Sequence, residues 1–156
     1  MKRIEPMSHD QSLEILNKVC FFDAFLPEEK DILTGLHSHF FVAKKGEPVI
    51  RQGDNDTSFF VILTGSVYVR KEGSRKMLAR LKPGDSFGEI SFLTNSRRTS
   101  TVIAECTSII FEIDQPTLKF LDPGIREKLK DNIIQVLVDR LDTMNKHVVA
   151  LSAQIH

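Results

Sequence analysis

The chain is poor in cysteine, has no surplus charge of either sign and contains no long apolar run. Its 156 residues include two cysteines, one tyrosine and no tryptophan. Cys20 and Cys106 lie far apart, in no metal-like spacing and each among apolar residues, so both are expected to be buried free thiols, with nothing to support a disulfide. Lys plus Arg is 21 and Asp plus Glu is 21, a formal net charge of zero, which argues against a dedicated nucleic-acid binder but leaves room for one local basic pocket. No stretch reaches the ~18 apolar residues of a membrane span. Residues 1–10 are polar and have no apolar signal core, which points to the cytoplasm. Proline and glycine are missing throughout 125–156, so nothing there interrupts a helix.

Hydrophobic residues make up 41% and charged residues 27%, ordinary for a soluble globular chain. The length suits a single domain over 1–156, able to bury a core without staples. Three parts follow along it. Residues 10–40 read as helical: Leu13, Leu16, Val19 and Cys20 fall at helical spacing. Pro27 opens a second helix with Glu28, Glu29 and Asp31 in its first turn and Ile32, Leu33 and Leu36 as apolar positions. Residues 40–113 read as β, with short Val, Ile and Phe runs punctuated by Gly46, Gly53, Gly65, Gly73 and Gly84. Glu72-Gly73-Ser74 is a hairpin turn between Val67 and Val69 on one side and Leu78 and Leu81 on the other. Many short strands with regular turns predict an eight-stranded antiparallel, jelly-roll-like β-roll.

Residues 114–156 return to helix. Asp114-Gln115-Pro116 starts a short helix and Asp122-Pro123-Gly124 breaks the chain. Beyond it, Leu137, Leu141, Met144, Val148, Leu151 and Ile155 step by four, three, four, three and four residues. Such a seam suits a helix packed on a second copy of itself, a homodimer, or one packed on the barrel.

The chemistry concentrates in Pro83-Gly84-Asp85-Ser86-Phe87-Gly88-Glu89-Ile90-Ser91-Phe92-Leu93 and the following Arg97-Arg98-Thr99-Ser100-Thr101-Val102. Gly88 lets the backbone turn sharply and approach a ligand. A short helical turn after it offers free N–H groups to an anion. An arginine on the next strand supplies a fork that fits two phosphate oxygens. A carboxylate beside that arginine repels phosphate but accepts hydrogen bonds from ribose hydroxyls. The ligand therefore carries both a phosphate and a sugar.

This segment resembles the phosphate-binding cassette, here 84–102, of the cyclic-nucleotide-binding domain family, shared by bacterial catabolite activators, cyclic-nucleotide-gated channels and regulatory parts of cyclic-nucleotide-dependent kinases. Two further blocks resemble the family's entry hairpin and central strand pair: Gly46-Glu47-Pro48-Val49-Ile50-Arg51-Gln52-Gly53-Asp54 and Phe59-Phe60-Val61-Ile62-Leu63-Thr64-Gly65-Ser66-Val67. The resemblance covers about 20–147. It implies that Arg98, rather than its rival Arg97, binds the cyclic phosphate, because the family's arginine immediately precedes two small residues, here Thr99-Ser100. It implies that backbone N–H groups of Gly88, Ile90 and Ser91, with Ser100, complete the cradle. Glu89 is implied for the ribose 2′-hydroxyl, and Val69, Leu81 and Phe87 for the apolar wall. Thr99 is the position at which similar cGMP sites offer a hydroxyl to guanine, yet several cAMP-preferring channels also carry Arg-Arg-Thr, so cAMP is favoured over cGMP. Arg140, Thr143 and Met144 match the helical lid that covers the base.

Nothing in the sequence resembles a DNA-reading helix-turn-helix, a kinase signature, a catalytic triad or a channel pore. The chain reads as a non-enzymatic sensor for an unidentified effector, either a whole small protein beginning at Met1 or a regulatory piece. Two other readings compete with this one. One is a cupin-like metal enzyme using His37-Ser38-His39, for which the only later histidines are His147 and His156. The other is a nucleotide-free dimerisation module of the same fold, disfavoured because a pocket Glu89 and Arg98 are costly to keep without a ligand.

Overall fold

The computed structural model describes residues 2–3, 8–36 and 39–155, the side chains of 2, 3 and 155 excepted. The chain divides into two compact units, Met1–Leu121 and Asp122–His156.

In the first unit, strand β1 (Lys2–Arg3) precedes helices α1 (His9–Asn17) and α2 (Pro27–Thr34), with a single 3-10 turn at Cys20–Phe22 between them. Ser8 caps α1 by accepting from Gln11 N–H while the Gln11 side chain accepts from Ser8 N–H, a reciprocal capping box. Pro27 opens α2, where its missing N–H costs nothing. The apolar face of α2 is Leu33; Ile32, expected to be buried, is 43% exposed.

Eight strands then run from 40 to 113: β2 (Phe40–Ala43), β3 (Pro48–Ile50), β4 (Phe59–Thr64), β5 (Val67–Arg70), β6 (Met77–Leu81), β7 (Ser86–Phe87), β8 (Thr101–Ala104) and β9 (Ser108–Ile113). Helix α3 (Glu89–Thr94) separates β7 from β8, and α4 (Gln115–Phe120) follows β9. The sheets have the orders β1-β2-β9-β4-β7 and β3-β8-β5-β6. Pairings are antiparallel and nested: β5 with β6, β4 with β7, β3 with β8 and β2 with β9. The chain thus doubles back on itself as one long hairpin rolled into two layers, the expected β-roll. At the centre of this hairpin Val67 faces Leu81 and Val69 faces Ala79. Leu78 has no partner in this register, which shifts between Val69 and Arg70, and is 55% exposed.

Ile62, Val67, Val102, Ala104 and Ile110 fill the space between the sheets. A phenylalanine layer joins the helices to the first sheet: Phe22 meets Phe111 edge-on at 6.0 Å, and Phe40 meets Phe111 at 4.9 Å.

The second unit is helix α5 (Pro123–Ile155), 33 residues and about 50 Å long. Pro123 and Gly124 form its first turn instead of breaking the chain, because proline is tolerated at a helix start. Leu141, Met144, Val148 and Leu151 of the seam are exposed. No described helix is long and apolar enough to cross a membrane.

Both cysteines are exposed, contrary to expectation. Helix α1 ends at Asn17, so Cys20 leaves its apolar face. Cys106 sits in the polar turn between β8 and β9.

Candidate phosphate and sugar site

The segment between β7 and β8 passes from the edge of the first sheet to the interior of the second. Gly88 makes the turn, with φ +86°. A Cβ there would stand 2.7 Å from the Ser58 carbonyl oxygen and 2.8 Å from Arg98 Nη1, so only glycine fits. Helix α3 starts directly after it, and its first helical bond runs from Phe92 N–H to the Gly88 carbonyl at 3.2 Å. The N–H groups ahead of Phe92 have no acceptor within the helix.

Arg98 is buried, at 3% exposure, while Arg97 is exposed. Its guanidinium lies 5.7 Å from the centroid of the Phe60 ring, which in turn stacks on Phe87. Nη2 donates to Asp56 Oδ2 at 2.7 Å and to the Ser58 carbonyl at 2.6 Å, and Nη1 donates to the Gly88 carbonyl at 3.1 Å. Nε is buried with no hydrogen-bond partner among the described residues. A guanidinium has five donors, so the Nε–H and a hydrogen of Nη1 are left for another acceptor.

Of the residues singled out in the sequence, Gly88 bonds Arg98 directly and Phe87 meets it through Phe60, while Glu89 and Ser91 are buried in α3 immediately after Gly88. Val69 and Leu81 pack against the same apolar cluster as Phe60, Phe87 and Val102. Ser100 is half-buried, and Ile90 and Thr99 are exposed. In the second unit Arg140, Thr143 and Met144 share one face of α5 at spacings of three and four. The Thr143 hydroxyl donates to the Asp139 carbonyl of its own helix at 3.0 Å.

Asp56, Ser58 and Phe60 were not foreseen as partners of Arg98. The only sequence signal was the polar turn Asn55-Asp56-Thr57-Ser58 ahead of an apolar strand. Asp56 gives Arg98 a carboxylate partner within the chain itself.

Two carboxylates near the site shift in opposite directions. Burial pushes Asp56 up, but hydrogen bonds from Arg98 and Ser58 and the Arg98 charge outweigh it, so its carboxyl lies below the ordinary value. Its contribution to stability is present above the unfolded pKa and is lost as pH falls through the lowered folded one. Burial raises Glu112, helped by the nearby Asp56 charge and only partly offset by the Ser58 hydroxyl, which donates to Oε1 at 2.8 Å. Its sign is reversed: stability is lost as pH rises from the unfolded to the raised folded pKa. Glu112→Gln keeps the acceptor for Ser58 and removes that loss. Thermal unfolding should therefore show the variant gaining on the wild type as pH rises across the carboxylate range, then holding level. A gap that is constant with pH would remove Glu112 from the acid–base behaviour of the fold.

His37 and Ser38 lie outside the described residues. His39 Nδ1 bonds the Glu112 carbonyl at 3.0 Å and Nε2 bonds the Thr117 hydroxyl at 3.2 Å, so both ring nitrogens are engaged. Among the described residues no three His, Cys, Asp or Glu side chains group as metal ligands.

The family model described as the cyclic nucleotide-binding domain matches residues 40–121, more than half of the chain. The chain belongs to the cyclic nucleotide-binding domain family. Among curated relatives it is 42% identical over 62 residues to a cAMP-dependent protein kinase regulatory subunit of Mycosarcoma maydis, covering 38% of this chain and 12% of the relative. It is 31% identical over 105 residues to a cGMP-dependent protein kinase of Plasmodium berghei (strain Anka), covering 66% of this chain and 11% of the relative. The matches thus span only about a tenth of these relatives. A solved cyclic nucleotide-binding domain from Methylobacillus flagellatus superposes with a TM-score of 0.74 at 23% identity, over 91% of this chain and 83% of that one, which establishes the common fold.

Proposed function

We propose that this cyclic nucleotide-binding domain is a regulatory sensor that binds a cyclic nucleotide monophosphate, cAMP in preference to cGMP. The observation that carries the reading is the buried Arg98 guanidinium, held on three sides and keeping its Nε–H unmatched beside the Gly88 turn. Arg98 binds the phosphate, with N–H groups of Gly88, Ile90 and Ser91 and the Ser100 hydroxyl around it. Glu89 accepts from the ribose 2′-hydroxyl. Val69, Leu81 and Phe87 form the apolar wall, Thr99 bears on base choice, and Arg140, Thr143 and Met144 close over the base. Helix α5 responds to the ligand, the whole chain acting as one cytoplasmic, non-catalytic module upstream of an effector.

Calorimetry against cAMP, cGMP and cyclic dinucleotides tests the reading. A Kd for cAMP below that for cGMP supports it. Removing the 2′-hydroxyl should weaken binding to the wild type clearly and to Glu89→Gln little. No binding of any of these ligands by the folded protein would leave a nucleotide-free module of the same fold. For the helix response, amides of 133–148 should gain protection from exchange when nucleotide binds, beyond the gain at 88–91. Protection confined to 88–91 would mean a site without a helix switch.

The exposed seam on α5 supports a homodimer. Glu at both Leu141 and Val148 would bury charge in such an interface. The double variant should sediment as a monomer while the wild type sediments as a dimer. A wild type that stays monomeric at high concentration refutes the pairing.

A further inference from the structure

A recess of about 690 Å3 opens on the outer face of the four-stranded sheet, away from the buried Arg98 side chain. Its floor includes Thr101 and Ile103, which alternate with the core residues Val102 and Ala104 and so point away from the core. The turn after β3 forms one wall and the β5–β6 hairpin the other. The first brings Arg51 and Asp54; the second brings Arg70, Lys71, Glu72 and Arg75. A chain with no net charge thus places twice as many cations as carboxylates around one cavity. None of the four cations is in an ion pair among the described residues.

We infer that this recess binds a compact phosphate polyanion, at a site that the Arg98 side chain does not line. Cations on facing walls repel one another, and an anion between them removes that repulsion. Three of the four are arginines, whose planar forks match phosphate oxygens. Ser74 at the hairpin tip adds a hydroxyl. The volume falls in the range of small-molecule sites. The walls are joined before any ligand arrives: Gln52 Oε1 accepts from Glu72 N–H at 2.8 Å, and Gln52 N–H donates to Thr101 Oγ1 at 3.0 Å. A held, bounded recess favours a compact ion over an extended acidic peptide.

The recess also adjoins the cassette strand. Gly53 N–H donates to the Arg98 carbonyl at 2.8 Å, and Arg98 N–H donates to the Asp54 carbonyl at 2.9 Å. An anion on the 51–54 turn therefore bears on the backbone of Arg98 without competing for its guanidinium.

The test is calorimetric titration of the full chain with inorganic tripolyphosphate at low salt. Saturable binding is expected in the wild type. Arg70→Ala with Arg75→Ala should weaken it by more than roughly tenfold, the effect of removing contacts to a multiply charged anion. Lys119→Ala with Lys146→Ala, which removes equal charge outside the recess, should change it by less than about twofold. Absence of binding, or equal losses in the two double variants, would overturn the site. So would a glutamate-rich peptide binding with the recess dependence while tripolyphosphate fails to bind, which would assign the surface to an acidic protein segment.

Discussion

Arg98→Ala should weaken cyclic nucleotide binding by roughly 2–5 kcal/mol, well over tenfold, the usual cost of truncating one partner of a buried charge pair. Arg97→Ala should change it little. The two arginines are neighbours in sequence, but Arg97 is exposed whereas Arg98 is 3% exposed and lies over Phe60. Truncation also removes the donor from Asp56 and from the Ser58 and Gly88 carbonyls, so some stability is lost as well. The Asp56 side chain is 45% exposed and can be rehydrated, which limits that loss. Arg98→Lys separates the two effects. It keeps a positive charge near Asp56 but lacks the planar fork. The lysine variant should fold like the wild type and still bind more weakly. Calorimetry with a parallel unfolding curve reads both quantities. If Arg97→Ala abolishes binding, or Arg98→Lys binds as the wild type does, the phosphate is held elsewhere.

The second large effect is expected far from the ligand. Gly65 lies in the turn from β4 to β5, the point at which the chain passes from one sheet to the other, with φ +84°. An added Cβ would fall 2.7 Å from the Thr107 carbonyl oxygen and 2.8 Å from Ser108 Cα, both backbone atoms, and would also overlap the Ser108 hydroxyl. That hydroxyl accepts from Ser66 N–H at 3.1 Å and donates its one hydrogen to the Cys106 carbonyl at 2.8 Å, with the Ser66 carbonyl at 3.2 Å the alternative acceptor, so it has little freedom to move. Gly65→Ala combines a left-handed backbone cost with this overlap, a loss of roughly 2–4 kcal/mol. For a chain of this size that lowers Tm by about 5–15 °C. Gly73→Ala is the comparison. Its φ is +81°, but nothing lies within 4 Å of the added Cβ, so only the backbone cost applies. Equal shifts in the two variants would show that the close approach to β9 contributes nothing.

The architecture was legible from local signals. Glycine punctuation marked the turns, apolar runs marked the strands, and a proline- and glycine-free tail marked α5. The turn at Gly88 and the short helix after it followed from the order of residues in one continuous segment, whereas the preference for Arg98 over Arg97 was implied by the family resemblance, and the structure buries the first and exposes the second. These features depend on neighbours within a few residues, and sequence order conveys such neighbours directly.

Partnerships across the roll were decided only by the tertiary structure. Asp56 and Ser58 meet Arg98 across 42 and 40 residues of sequence, because the nested strand pairs bring the turn before β4 against the cassette. The same folding exposes Cys20 and Cys106, since exposure depends on where a helix ends and which turn a residue occupies. The cationic recess arises likewise, from two separate segments joined through Gln52. Periodicity specifies which element a residue belongs to. Its charge partners are set by register between distant strands, and that register emerges only when the two sheets close over their common core.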